Sequence, residues 1–140
     1  MEYISSFIYC DSIQTEITPQ GTRTQIVNPL QILTPIAIPG NYSFAIICNI
    51  AGFDSKKENS VRIKFVSPSK QVLNDTGKIK LQLPMEQIKE NMPNVMQLNL
   101  DMRNLPFSET GLYSTKIYVN ETKIGEYKIS VIVGEHNDTI

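Results

Sequence analysis

Residues 105–133 read LPFSETGLYSTKIYVNETKIGEYKISVIV, and this stretch decides the fold. Thr115, Ile117 and Val119 alternate with Lys116 and Tyr118, which places the two sets on opposite faces of an extended strand. Asn120-Glu121-Thr122 then interrupts the pattern as a short hairpin loop would. Beyond it Tyr127, Ile129, Val131 and Val133 alternate with Lys128 and Ser130. The same period of two recurs upstream. Val61, Ile63 and Phe65 oppose Arg62 and Lys64, and Met96, Leu98, Leu100 and Met102 oppose Gln97, Asn99, Asp101 and Arg103. Strands with one wet face belong to antiparallel sheets.

Other segments carry apolar groups on both faces. YSFAIICNIA, residues 42–51, lies between Pro39-Gly40 and Gly52 and reads as a central strand. Residues 3–10 set Tyr3, Phe7 and Tyr9 against Ile4, Ile8 and Cys10, so this strand is either central too or meets a partner. Ser67-Pro68-Ser69-Lys70 is a tight turn with proline at its second position. Asp75-Thr76-Gly77 precedes alternating Ile79, Leu81 and Leu83. One short crossover helix is predicted at most, over 84–92, where Pro84 precedes Met85, Ile88 and Met92. The expectation is an all-β, antiparallel sandwich of about seven to eight strands. It forms one domain over 1–133, followed by a polar, frayed tail at 134–140.

The turn that enters the decisive stretch adds detail. Leu105 and Phe107 lead into it, Gly111 follows, and Tyr113 opens the strand. This resembles the start of the penultimate strand in immunoglobulin-like sandwiches. The resemblance implies that the Tyr113 ring packs in the core while its hydroxyl bonds the backbone of the preceding turn. The cysteine pair and tryptophan of antibody domains are missing, since the chain has no Trp and no Cys beyond Cys48. Over its whole length the chain resembles an uncharacterised family of short bacterial and phage-borne β-sandwich proteins. The resembling stretches are IYCDSI at 8–13, PGNYSFAI at 39–46 and FSETGLYSTKIYVNETKIGEYKISV at 107–131. That family implies a sandwich and offers no established activity.

The chain has 140 residues, 41% hydrophobic and 19% charged, with thirteen basic residues against fourteen acidic ones and a net charge of −1. Near-neutral charge supplies no broad field for a polyanion, so a nucleic-acid partner is not expected. Lys56, Lys57, Arg62 and Lys64 read as a solvated loop and strand face. MEYISSFIYC lacks a basic leader and no apolar run approaches membrane-spanning length, so a soluble protein of the cytoplasm, with no membrane contact, is expected. In that compartment Cys10 and Cys48 are reduced core residues, and the Asn-x-Ser/Thr matches at Asn41, Asn74, Asn120 and Asn137 carry no meaning.

Chemistry finds little to work with. The one histidine, His136, lies in the tail, which argues against His-dependent triads and dyads. Cys10 and Asp11 are strand neighbours and point to opposite faces. Zinc would need clustered Cys and His, and the loop carboxylates Asp54, Asp75 and Glu109 form no D-x-D calcium pattern. No carboxylate pair stands out for glycoside hydrolysis, and no glycine-rich phosphate loop is present. The expectation is no enzyme, no metal and no cofactor.

The oddest stretch is IVNPLQILTPIAIP, residues 26–39, apolar yet broken by Pro29, Pro35 and Pro39. Prolines keep it out of a sheet centre, so it is either an edge strand folded over one end of the core or an exposed strip. In the second case Leu30, Leu33, Ile36 and Ile38 form a candidate interaction surface for a protein partner or a second copy. The expected function is a non-catalytic, intracellular protein-binding module, bacterial or phage-encoded, working through that strip or an edge strand. The alternative is a phage structural or decoration module, or a carbohydrate-binding sandwich.

Overall fold

Strand-period patterning becomes ten strands among the described residues of the computed structural model, which are 1–54, 56–81 and 94–134. They are β1 (Tyr3–Thr18), β2 (Gly21–Pro29), β3 (Ile32–Leu33), β4 (Gly40–Ala51) and β5 (Asn59–Val66). The remainder are β6 (Val72–Asp75), β7 (Ile79–Leu81), β8 (Val95–Phe107), β9 (Gly111–Val119) and β10 (Thr122–Val131). The short helix expected at 84–92 and the tail beyond Gly134 lie outside the described residues. Gly134 itself is tied down, its N–H donating to the Pro35 carbonyl at 2.8 Å.

Two sheets face each other. Sheet A runs β2-β1-β4-β8; sheet B runs β3-β10-β9-β5-β6, with β7 paired to the start of β5 alongside β6. Strands β1, β4 and β8 thus oppose β5, β9 and β10, the partition of an immunoglobulin-like sandwich. The expected architecture holds, with two differences. There are more strands than seven or eight, because short or polar strands such as β2 and β3 carry no apolar stripe. The pairing is also not wholly antiparallel, since β3 runs parallel to β10.

The tyrosine corner forms as the resemblance implied. Tyr113 is fully buried and its hydroxyl donates to the Glu109 carbonyl at 2.7 Å. Gly111 is required there: its φ is +131°, and a Cβ would meet Pro68 at 3.0 Å. Without a tryptophan, the core centre is filled by aromatic contact among Phe44, Phe65, Phe107 and Tyr113. Ring centroids lie 5.3 Å apart for Phe44–Phe65 and 5.1 Å for Phe107–Tyr113. Among the polar links between the sheets, the Tyr9 hydroxyl meets Thr115 Oγ1 at 2.6 Å. Burial pushes the Tyr9 hydroxyl well above its ordinary range, so it stays neutral and available for this bond.

The outer face of sheet A is sheltered by its own chain. After Cys10 pairs with Ala45, β1 leaves β4 and continues with β2 as a hairpin arm. The arm closes through Thr18-Pro19-Gln20-Gly21, where Thr18 Oγ1 donates to the Gly21 carbonyl at 2.7 Å. It lies across the sheet: Thr24 Oγ1 donates to Gln97 Oε1 on β8 at 3.2 Å. Ile13 and Thr15 share a cavity of about 210 Å³ with Ala45, Asn99 and Asp101. Cys10, Ala45 and Ile47 are therefore buried, 0%, 1% and 4% exposed, although they stand outside the main core. This accounts for the apolar character on both faces of residues 3–10 and 42–51.

The two cysteines follow from the register. Cys48 lies opposite Phe7 and faces the core, while Cys10 lies opposite Ala45 on the other side of the sheet. Neither is in a disulfide.

Candidate functional site

The apolar strip expected at 26–39 does not exist as a continuous surface. Leu33 is fully buried, and Leu30 and Ile38 are half-buried against the main core. Of the four, only Ile36 faces solvent, at 70% exposure. Register is the cause. In β3, Leu33 lies opposite the buried Val131, whereas Ile32 lies opposite the exposed Ser130. Alternation therefore turns Leu33 inward and Ile32 outward. Residues 26–29 end β2 at the edge of sheet A, with Pro29 its last position opposite Cys10, and Ile32–Leu33 form the edge strand of sheet B, so the prolines stand at or beyond strand ends.

The outer face of sheet B has no arm over it among the described residues. The residues opposite to its core-facing set assemble there in rows. One row places Lys123 and Arg62 on either side of Tyr118. The next runs Glu126, Lys116, Lys64 and Asp75. Lys80 lies opposite Ser60 on β7. Sequence reading placed Arg62 and Lys64 on a solvated face; the structure adds cations from three further strands to that face.

Ion pairs order part of this array. Arg62 grips Asp75 with two bonds, at 2.9 and 2.6 Å. That grip, helped by the Gly77 N–H, lowers the Asp75 carboxyl to about 2. Lys123 Nζ donates to Glu126 Oε1 at 2.8 Å and holds that carboxyl below its ordinary range. Lys78 and Glu121 approach within 3.7 Å. Lys64, Lys80 and Lys116 have no carboxylate within 4.0 Å among the described residues. Lys64 Nζ instead sits 5.4 Å from the centre of the Tyr118 ring.

A groove runs through this array. A cavity of about 250 Å³ is lined by Ser60, Arg62, Lys64, Lys78, Tyr118 and Glu121. It adjoins one of about 430 Å³ reaching Lys57 and Lys80. Side-chain amides fix the wall. Asn120 Oδ1 accepts from the Ser60 N–H at 2.9 Å, and its Nδ2 donates to Asn59 Oδ1 at 3.1 Å. Asn59 in turn donates to the Asp54 and Lys57 carbonyls. Asn120 and Glu121 both have positive φ, +48° and +69°, as a two-residue hairpin turn requires.

The far end of the same face is apolar. Ser130 lies between Ile32 on β3 and Leu112 on β9, and Ile132 follows two positions along. Ile32, Leu112 and Ile132 are 43%, 49% and 47% exposed. Sequence reading missed this group and most of the cations. The available signal was parity: Lys116 and Tyr118, Arg62 and Lys64, Lys128 and Ser130 all occupy the positions left by core residues.

The loop carboxylates considered for calcium are each engaged. Asp54 Oδ1 accepts from the Lys56 N–H at 2.9 Å, Asp75 is held by Arg62, and Glu109 accepts from the Ser69 hydroxyl. These three carboxylates do not converge: among the described residues, no three His, Cys, Asp or Glu side chains group as a metal site would require. Burial pushes the Cys48 thiol up to about 12 and raises that of Cys10, so neither is a thiolate near neutral pH.

A family model described as "Family of unknown function (DUF6941)" matches residues 5–132. No curated protein matches the chain. Among solved structures, one similar chain is the Pseudomonas fluorescens alkylpurine DNA glycosylase AlkC bound to DNA containing an abasic site analog. The identity is 9% and the TM-score 0.48, over 93% of this chain and 30% of that one. This chain therefore spans about a third of the glycosylase's length. Another is an immunoglobulin-like protein from Pseudomonas aeruginosa, 12% identical with a TM-score of 0.43, covering 94% of this chain and 97% of that one.

Proposed function

We propose that this chain, which belongs to the DUF6941 family of unknown function, is a non-catalytic module that holds a protein partner against the outer face of sheet B. The carrying observation is the segregation on that face. Cations gather around Tyr118 and exposed aliphatic side chains around Ser130, although the chain as a whole is near neutral. A rim of charge beside an apolar anchor is the usual make-up of a protein contact surface. The non-catalytic part is supported by thiols held protonated and by carboxylates engaged with neighbouring cations. The chain's Ile-, Asn- and Lys-rich usage supports a bacterial or phage origin.

The test is affinity capture from cell lysate by the native chain, by a Leu112→Asp/Ile132→Asp variant, and by an Ile17→Asp variant. Ile17 is 87% exposed on the arm and serves as control. A protein retained by the native and control chains and lost with the face variant supports the proposal. Retention by all three, or by none, refutes it.

A further inference from the structure

Resting on that reading of the face, we infer that the partner offers an extended segment with two carboxylates at alternate positions and two apolar side chains further along, also alternate. The register supplies the spacing. Tyr118 and Arg62 form one row, and Lys116 and Lys64 the next, two residues along β9. Leu112 lies four residues beyond Lys116, with Ile32 in the same row across Ser130. Ile132 stands one row further. At about 3.4 Å per residue, the span from Tyr118 to Leu112 is roughly 20 Å. A strand-like segment lying along β9 presents every second side chain to the face. A carboxylate at position i+2 would meet Lys64 and Lys116, one at position i would share Arg62 and Lys123 with Asp75 and Glu126, and apolar groups at i+6 and i+8 would meet Leu112 and Ile132.

Charge complementarity favours such a segment over nucleic acid. Lys64 and Lys116 have no carboxylate partner among the described residues, so they are available to an incoming anion. Glu121 and Glu126 stand on the same face and would repel a uniform phosphate backbone. The one aromatic in the groove, Tyr118, already receives Lys64 on its ring, leaving no stacking platform for bases. The apolar end would be idle against a polyanion and is occupied by a mixed segment.

The probe is a fluorescein-labelled peptide, Ser-Glu-Ser-Glu-Ser-Thr-Ser-Leu-Ser-Leu-Ser, used also with its sequence reversed because chain direction along β9 is open. Anisotropy titrations compare it with a peptide in which one Glu and one Leu are exchanged, and with a ten-nucleotide oligothymidylate. The expected result is saturable binding by at least one direction of the probe. It should weaken about tenfold in Lys64→Gln/Lys116→Gln and in Leu112→Asp, and it should fall with added salt, as contacts between exposed charges do. Each variant is accepted only if its urea midpoint is native; Leu112→Ser replaces Leu112→Asp if the latter unfolds. Equal binding of the exchanged peptide, tighter binding of the oligonucleotide, or no binding of either probe direction overturns the inference. If capture from lysate still depends on the face while both probe directions fail, the inference falls alone. If capture ignores the face, the underlying function falls with it.

Discussion

Truncating neighbouring residues of β3 separates a core position from a surface one. Leu33→Ala and Ile32→Ala each delete about three side-chain carbons, worth about 2.4 kcal/mol when fully buried, at about 0.8 kcal/mol per carbon. Leu33 is 0% exposed, so its truncation loses that whole amount plus a cavity term. β3 is a short edge strand paired only at Ser130 and Val131, and it can settle partly into the gap. The lower half of the usual range for buried leucine therefore applies, about 3 kcal/mol. Ile32 is 43% exposed and leaves no enclosed void, which gives about 1 kcal/mol. Urea unfolding followed by tyrosine fluorescence should show this directly. With a slope of about 1.5 kcal/mol per molar, the midpoint falls by about 2 M for Leu33→Ala and about 0.7 M for Ile32→Ala. Equal shifts, or a larger one for Ile32, would mean that β3 sits in the opposite register. The apolar end of the candidate site would then be misassigned.

Three further outcomes are expected. Tyr113→Phe removes the bond to the Glu109 carbonyl and should cost about 1–2 kcal/mol, a fall in Tm of about 3–8 °C by calorimetry; no change would mean the corner is ornamental. Asp75 titrates lower in the folded chain, at about 2, than the roughly 3.9 of an unfolded one, so it stabilises above about pH 4 and that contribution is lost as pH falls toward 2. Asp75→Asn should flatten the acid limb of the urea midpoint between pH 4 and 2, and an unchanged limb would contradict the Arg62 pairing. Replacing residues 13–26 by an Asn-Gly turn joins Ser12 to Val27, which already face each other. In a Cys48→Ser background this should speed Cys10 labelling by dithionitrobenzoate at least about tenfold; an unaltered rate would show that the arm does not shelter that face.

The sandwich was legible wherever one face of a strand is apolar, as at Val61–Phe65 or Tyr113–Val119, because burial then writes itself as a period of two. The Tyr113 corner and the Asn120-Glu121 turn were legible because each needs particular residue types. The arm was not: its two sides, around Ile13-Gln14-Thr15 and Thr22-Arg23-Thr24, are mostly polar and carry no stripe. Nor was the direction of Leu33, since prolines on both sides erase the alternation from which a face is read. The candidate site was hidden for another reason. Its cations are scattered along the chain from Lys57 to Lys128, and a net charge of −1 says nothing about how charge is sorted between faces.

The short β3 has a consequence for how the protein is made. Its partner β10 is the last described strand, and the Tyr9–Thr115 bond joins the first strand to the second-last. These contacts span nearly the whole chain. During synthesis Leu33 therefore has no β10 beside it, and Tyr9 no Thr115, until residues 115–131 have been made. Closure of the sandwich waits on these late strands, slow for its size as topologies with distant pairings are, and the apolar strands made earlier are exposed to chaperones and to misassembly until then.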